Sequence, residues 1–233
     1  MSSILNLSDS LNGQKATKWG PLVWYLLITT TYYWQYFKYY SCQHSVLMEY
    51  FSLYLVLIYC RFCRNSFRDF WFVNDPRFCR KPLYEWLLWL HAKVNIKLEK
   101  PVFPLDQVEP TFIEPEKPYW ERDQVSDHWQ ICYFTNLYLI ACNYPPKIID
   151  NEKCRKIQIA AKRMFEIAPQ LIPISYLRHV QMTYPIDEKA FESRQSLFRL
   201  VFQLETTSNK TSRFGEDLES VAKYFECEYR STT

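Results

Sequence analysis

Three glycines in 233 residues, Gly13, Gly20 and Gly215, with no two close together, exclude most folds that bind nucleotides. A dinucleotide-binding GxGxxG turn, a phosphate-cradling loop and a hydrolase nucleophile elbow each need clustered glycines. None can be built here. Any nucleotide cofactor must therefore lie among side chains, as it would between the helices of a bundle. The same scarcity favours helices over a turn-rich β fold. The length suits one large domain or two small ones, with ample residues for a core. Aromatic residues make up 18% of the chain, concentrated in the first 90 residues. That surplus fits a core lined with flat rings, and equally fits ordinary packing.

The formal net charge of +3 gives no mandate for a nucleic-acid partner, and no basic block of the required density occurs. The polar opening MSSILNLSDSLNGQKATK lacks the apolar centre of a signal peptide. Residues 21–37 and 46–59 are apolar enough to need a membrane check. The first carries three threonines and Gln35, and the second is short and interrupted by Glu49, so neither is expected to span. A cytosolic or nuclear setting follows, where structural disulfides are uncommon. Eight cysteines there ask for a redox or metal explanation.

Residues 18–40, 46–59, 61–72 and 83–98 read as four helices. Pro21 falls in the first turn of the first, and Asn74-Asp75-Pro76 stops the third. Four helices on short loops suggest a bundle. Residues 101–118 hold five prolines and several acids, and are expected to run extended over the surface. A domain boundary is placed near residue 118. Beyond it, 127–143, 151–167, 173–182, 188–204 and 216–229 read as helices of a second helical domain of unassigned role, without an internal repeat.

Cys60-Arg61-Phe62-Cys63 opens the third helix. Two cysteines at this spacing can cycle between dithiol and disulfide without moving the backbone. The helix N-terminus favours a thiolate, and Arg61 and Arg64 add positive charge. The motif is also half of a zinc site. Zinc needs a second pair or two spaced histidines, and here only Cys79 and His91 are nearby candidates.

On the fourth helix His91, Val94, Asn95 and Leu98 share one face. This mixes hydrogen-bonding groups into an apolar stripe. Periodicity alone favours a buried polar pair satisfied by backbone over contact with a polar aromatic ligand.

Three segments, in this order, carry a more specific signal. They are Trp19-Gly20-x3-Trp24, then Tyr59-Cys60-x2-Cys63, then Trp86-x4-His91-x2-Val94-Asn95-x2-Leu98-x-Lys100-Pro101 with Phe103 and Phe112 after it. Over residues 18–112 the chain resembles the ERV/ALR family of FAD-linked sulfhydryl oxidases, whose last helix carries HNxVNxxLxKP. The resemblance implies an all-α fold with a four-helix-bundle domain binding FAD. It implies that Cys63 faces the isoalloxazine, with a lowered thiol pKa in a dry pocket, while Cys60 meets the incoming thiol. Gly20, Trp24, His91, Val94, Asn95, Leu98 and Lys100 would line the cofactor, Phe112 would pack on it, and Lys18 or Trp19 would sit at the entrance. Electrons would pass from thiol-containing protein substrates through FAD to O2, giving H2O2, without metal. A thioredoxin-like protein could act as relay, and homodimers are usual in the family.

The departures from the family are informative. Ile28 and Ala92 stand where histidine and asparagine are common, each removing a polar contact to FAD. Tyr59 replaces a common proline, and Leu88 with Leu105 occupies the positions of a frequent structural disulfide. The tryptophan-glycine-proline opening and the missing bridge look most like enzymes encoded by large cytoplasmic DNA viruses. That implies host cytoplasm or virion and a role in virion protein folding. Ile28 and Ala92 are the best support for an alternative, a degenerate, non-catalytic scaffold. Cys42, Cys79, Cys132, Cys142, Cys154 and Cys227 are the remaining candidates for a shuttle pair, and none form one in sequence.

Overall fold

The computed structural model describes residues 16–37, 44–79, 81–102, 123–171, 175–209 and 217–224. Among these residues the fold is all helical, with nine α-helices and no strand. Four precede the proline-rich stretch: α1 (Ala16–Phe37), α2 (His44–Leu57), α3 (Arg61–Val73) and α4 (Leu83–Lys97). After it come α5 (Asp123–Asn143), α6 (Glu152–Leu171), α7 (Ser175–Thr183), a 3-10 turn (Glu188–Phe191), α8 (Arg194–Asn209) and α9 (Leu218–Tyr224). No described helix is long and apolar enough to cross a membrane.

Burial decides which helix is central. Every residue of α5 from Cys132 to Cys142 is buried, so this stretch of the helix has no solvent face and must be surrounded. It lies against α1, α8 and α9, while α2 lies against α3 and α6, and α1 also packs on α4. The boundary expected near residue 118 falls outside the described residues. Helices on either side of it share one hydrophobic cluster, from Trp19, Tyr54 and Trp86 to Trp129, Phe165, Phe198 and Val221. Polar groups inside this core are tied across helices. Tyr138 donates to Glu205 Oε2 at 2.7 Å and Tyr133 to Gln181 Oε1 at 3.4 Å. At the rim Arg163 of α6 makes a two-pronged pair with Glu49 of α2, at 2.5 and 2.8 Å. That pair is more than a third exposed, so it adds register more than stability. The threonines of α1 enter the core by bonding back along their own helix, Thr29 to the Tyr25 carbonyl at 2.6 Å and Thr31 to that of Leu27 at 3.0 Å.

Three boundaries differ from the sequence reading for identifiable reasons. α1 starts earlier, at Ala16, which puts Pro21 inside the helix, where its ring is exposed. The helix expected over 188–204 is split, because the Ser193 hydroxyl accepts the Ser196 N–H at 3.1 Å and begins α8 afresh. The third is the end of α4. There Glu99 takes a φ of 54°, with its N–H on the Ile96 carbonyl and the Lys100 N–H on the Asn95 carbonyl at 2.9 Å. This is a Schellman turn, which ordinarily uses glycine at the left-handed position. Glu99→Gly is therefore expected to raise stability by about 1 kcal/mol, read as a higher midpoint in urea unfolding with unchanged slope.

Candidate dithiol site and adjoining cavity

The two cysteines are placed by the way α2 ends. Arg68 Nε of α3 donates to the Leu55 carbonyl at 2.8 Å, and Arg64 Nη1 to that of Ile58 at 2.9 Å. Two cations one helical turn apart thus take up carbonyls that α2 leaves without helical partners. The chain then turns through Ile58, Tyr59 and Cys60. Cys60 is the N-cap of α3, with φ −94° and ψ 126°, and its Sγ accepts the Cys63 N–H at 3.4 Å. Both thiols are half-buried, and Phe62 between them is 57% exposed, so the pair opens toward solvent beside an apolar side chain.

This geometry separates the two sulfurs electrostatically. The Cys60 thiol is pulled down to about 6, chiefly by the hydrogen bond from the Cys63 thiol. The N–H groups of Cys63 and Phe62 and the Arg64 charge assist, against burial. Cys63 is pushed well above the ordinary thiol range by that same bond and by burial, with Lys97 opposing. The hydrogen bond between the two thiols thus lowers Cys60 and raises Cys63, the reverse of the lowered pKa expected at Cys63.

Beside the pair lies a cavity of about 520 Å³, within the roughly 300–1,000 Å³ of small-molecule sites. Cys63 is in its wall. Trp19, Gly20 and Trp24 line it from α1, and His91, Val94, Asn95, Leu98 and Lys100 from α4 and its cap. Residues named from three separate sequence segments therefore meet in one space. The Trp24 and His91 rings lie 4.8 Å apart, tilted by 46°. His91 is held below its usual pKa, by burial first and the Lys100 ammonium second, so it presents a neutral imidazole at pH 7. Lys100 reaches this side because the Schellman turn folds the chain back. Asn95 Nδ2 donates to the Pro101 carbonyl at 3.3 Å, pinning the exit from the helix.

Trp19 does not sit at the entrance. It is 7% exposed, with its ring edge-on to Tyr59 at 5.2 Å, since the register of α1 turns it into the core. Lys18 lies in α1, its side chain outside the described set, and Phe112 lies outside the described residues. Ile28 is fully buried in a satellite cluster with Tyr84 and Leu88, away from the cavity wall. Cys132, Cys142 and Cys154 are buried in the core, which does not suit a mobile shuttle, and Cys42 and Cys227 lie outside the described residues. Among the described residues no three His, Cys, Asp or Glu side chains converge to hold a metal.

Sequence reasoning missed Tyr54, Ile58 and Phe67, which also line the cavity. Their only signal was that an apolar helix ends at one CxxC and another begins there. Comparison with known protein families, characterised proteins and solved structures finds no match to this chain.

The cavity suits a flat, mostly apolar ligand with polar edges. Gly20 is buried, yet a Cβ built on it would meet nothing within 4 Å, so the wall there stands back from any neighbour. Rings on two sides, a neutral imidazole, a carboxamide and an ammonium are the groups an aromatic heterocycle with a phosphorylated tail would use.

Proposed function

We propose that this chain is an FAD-dependent thiol oxidase that forms protein disulfides through Cys60 and Cys63. The observation that carries the reading is the position of Cys63 in the wall of a ring-lined cavity, with Cys60 outside that wall. The cofactor would lie between α1 and α4 of a four-helix arrangement, against Trp24, His91, Val94, Asn95 and Leu98, with Lys100 toward its phosphates. Bound there, FAD supplies a two-electron acceptor that O2 reoxidises, with H2O2 as product.

The chain's own part is thiol–disulfide exchange. Starting from the Cys60–Cys63 disulfide, a substrate thiolate attacks Cys60 Sγ, forming the mixed disulfide and expelling Cys63. Cys63 leaves as a thiolate and takes up a proton. The second substrate thiolate then attacks the substrate sulfur, closing the substrate disulfide and releasing Cys60. Cys60 leaves readily because its thiolate is stabilised by the α3 N-terminus, Arg64 and the Cys63 S–H. Two electrons have then moved from substrate to the pair, one sulfur of which borders the cofactor.

The test is the visible spectrum and oxygen uptake of the purified full chain. A yellow protein that consumes O2 when given a dithiol is expected. A colourless protein that takes up no added FAD sinks the reading.

A further inference from the structure

The backbone between α2 and α3 has no helical ladder to hold it, yet it carries Cys60. What fixes it from below is a buried polar cluster. Tyr59 is 2% exposed, and its hydroxyl donates to Asn136 Oδ1 of α5 and lies 3.3 Å from the Asn136 carbonyl oxygen. Tyr54 donates to the same Oδ1 at 3.2 Å, which leaves Tyr50, 3.1 Å away, as the donor to Tyr54. Burial raises the pKa of all three tyrosines, so their hydroxyls keep the protons they donate. Asn136 is 1% exposed, and its Nδ2 has no hydrogen-bond partner. An unsatisfied buried donor costs about 1–3 kcal/mol, which a leucine at this site would avoid. What the amide offers in return is an acceptor for two tyrosines, one inside α2 and one on the turn.

We propose that Asn136 is a positioning residue for the dithiol: through the Tyr59 hydroxyl it holds the turn on which Cys60 sits, giving the helices beyond the proline-rich stretch a part in the chemistry. Tyr54 is held independently by the α2 ladder, whose last bond runs from the Ile58 N–H to the Tyr54 carbonyl. Tyr59 lies one residue past that bond, so its side chain anchors the backbone leading to the N-cap. Freeing it lets Cys60 drift from the N–H groups of Phe62 and Cys63.

This rests on taking Cys60 and Cys63 as the reacting pair. It is tested on the reduced full chain by the pH dependence of Cys60 alkylation with iodoacetamide, resolved by peptide mass spectrometry, alongside thermal unfolding. In the unaltered protein the rate should titrate with a midpoint of about 6. The groups that set it are the Cys63 thiol, the two N–H groups and Arg64, with Lys97 facing Cys63. None of these is altered by Tyr59→Phe, Asn136→Leu or Tyr54→Phe. The first two are expected to raise the midpoint by roughly one pH unit, and Tyr54→Phe to leave it in place. If Asn136→Leu does not fold, Tyr59→Phe carries the test alone. An unmoved midpoint in Tyr59→Phe, with both tyrosine variants losing only thermal stability, would overturn the proposal. Alkylation needs neither flavin nor oxygen, so this result is independent of whether the chain oxidises thiols.

Discussion

Cys63→Ser is expected to lower dithiol-driven oxygen uptake by roughly three orders of magnitude or more while the protein stays yellow. Serine is nearly isosteric and leaves the cavity wall in place, so bound flavin should be retained. The residue 63 N–H still reaches Cys60 Sγ, so the N-cap survives too. What is lost is the only sulfur that the described residues place in the wall of the cavity. Cys60 alone cannot form the Cys60–Cys63 disulfide from which the exchange starts. Oxygen-uptake assays on the reconstituted variant decide the matter. Turnover within tenfold of the unaltered chain would mean that electrons leave by a route other than Cys63.

Gly20→Leu should do the opposite, sparing the thiols and emptying the cavity. A leucine in place of glycine inside a helix gains roughly 1 kcal/mol of helix propensity. Its Cβ meets nothing within 4 Å, so the fold should be kept or slightly strengthened. The isobutyl group then occupies room that the cofactor would need. Flavin affinity is expected to fall on the order of a hundredfold, about 2.8 kcal/mol, measured by equilibrium titration of the apoprotein. Cys60 alkylation should not change. A variant that binds flavin normally would place the cofactor outside the space between α1 and α4.

Much of this was legible along the chain. A helix face repeats every three to four residues, so His91, Val94, Asn95 and Leu98 could be aligned by spacing alone, and the structure brings them to one wall. The CxxC pair is likewise local, and the scarcity of glycine pointed to helices. The missing parts depend on contacts that spacing does not encode. Asn136 meets Tyr59 across 77 residues, and the apolar run around it in α5 signals burial without naming a partner. Glu99 gives no hint of its left-handed backbone, because the usual glycine is absent. The assignment of the lower pKa to Cys63 failed for a related reason. Which of the two thiols donates to the other depends on side-chain placement, which the CxxC spacing leaves open.

The shared core has a consequence for how the chain responds to its ligands. Because α1–α4 and α5–α9 bury their apolar side chains in one cluster, opening one half exposes the other. Anything that binds only the closed state lowers the population of every open form by the same factor. Occupancy of a cavity between α1 and α4 would therefore be registered as slower proteolysis and slower amide exchange in α8 and α9, none of whose described residues lines it. The second half of the chain would then report on the loading of the first.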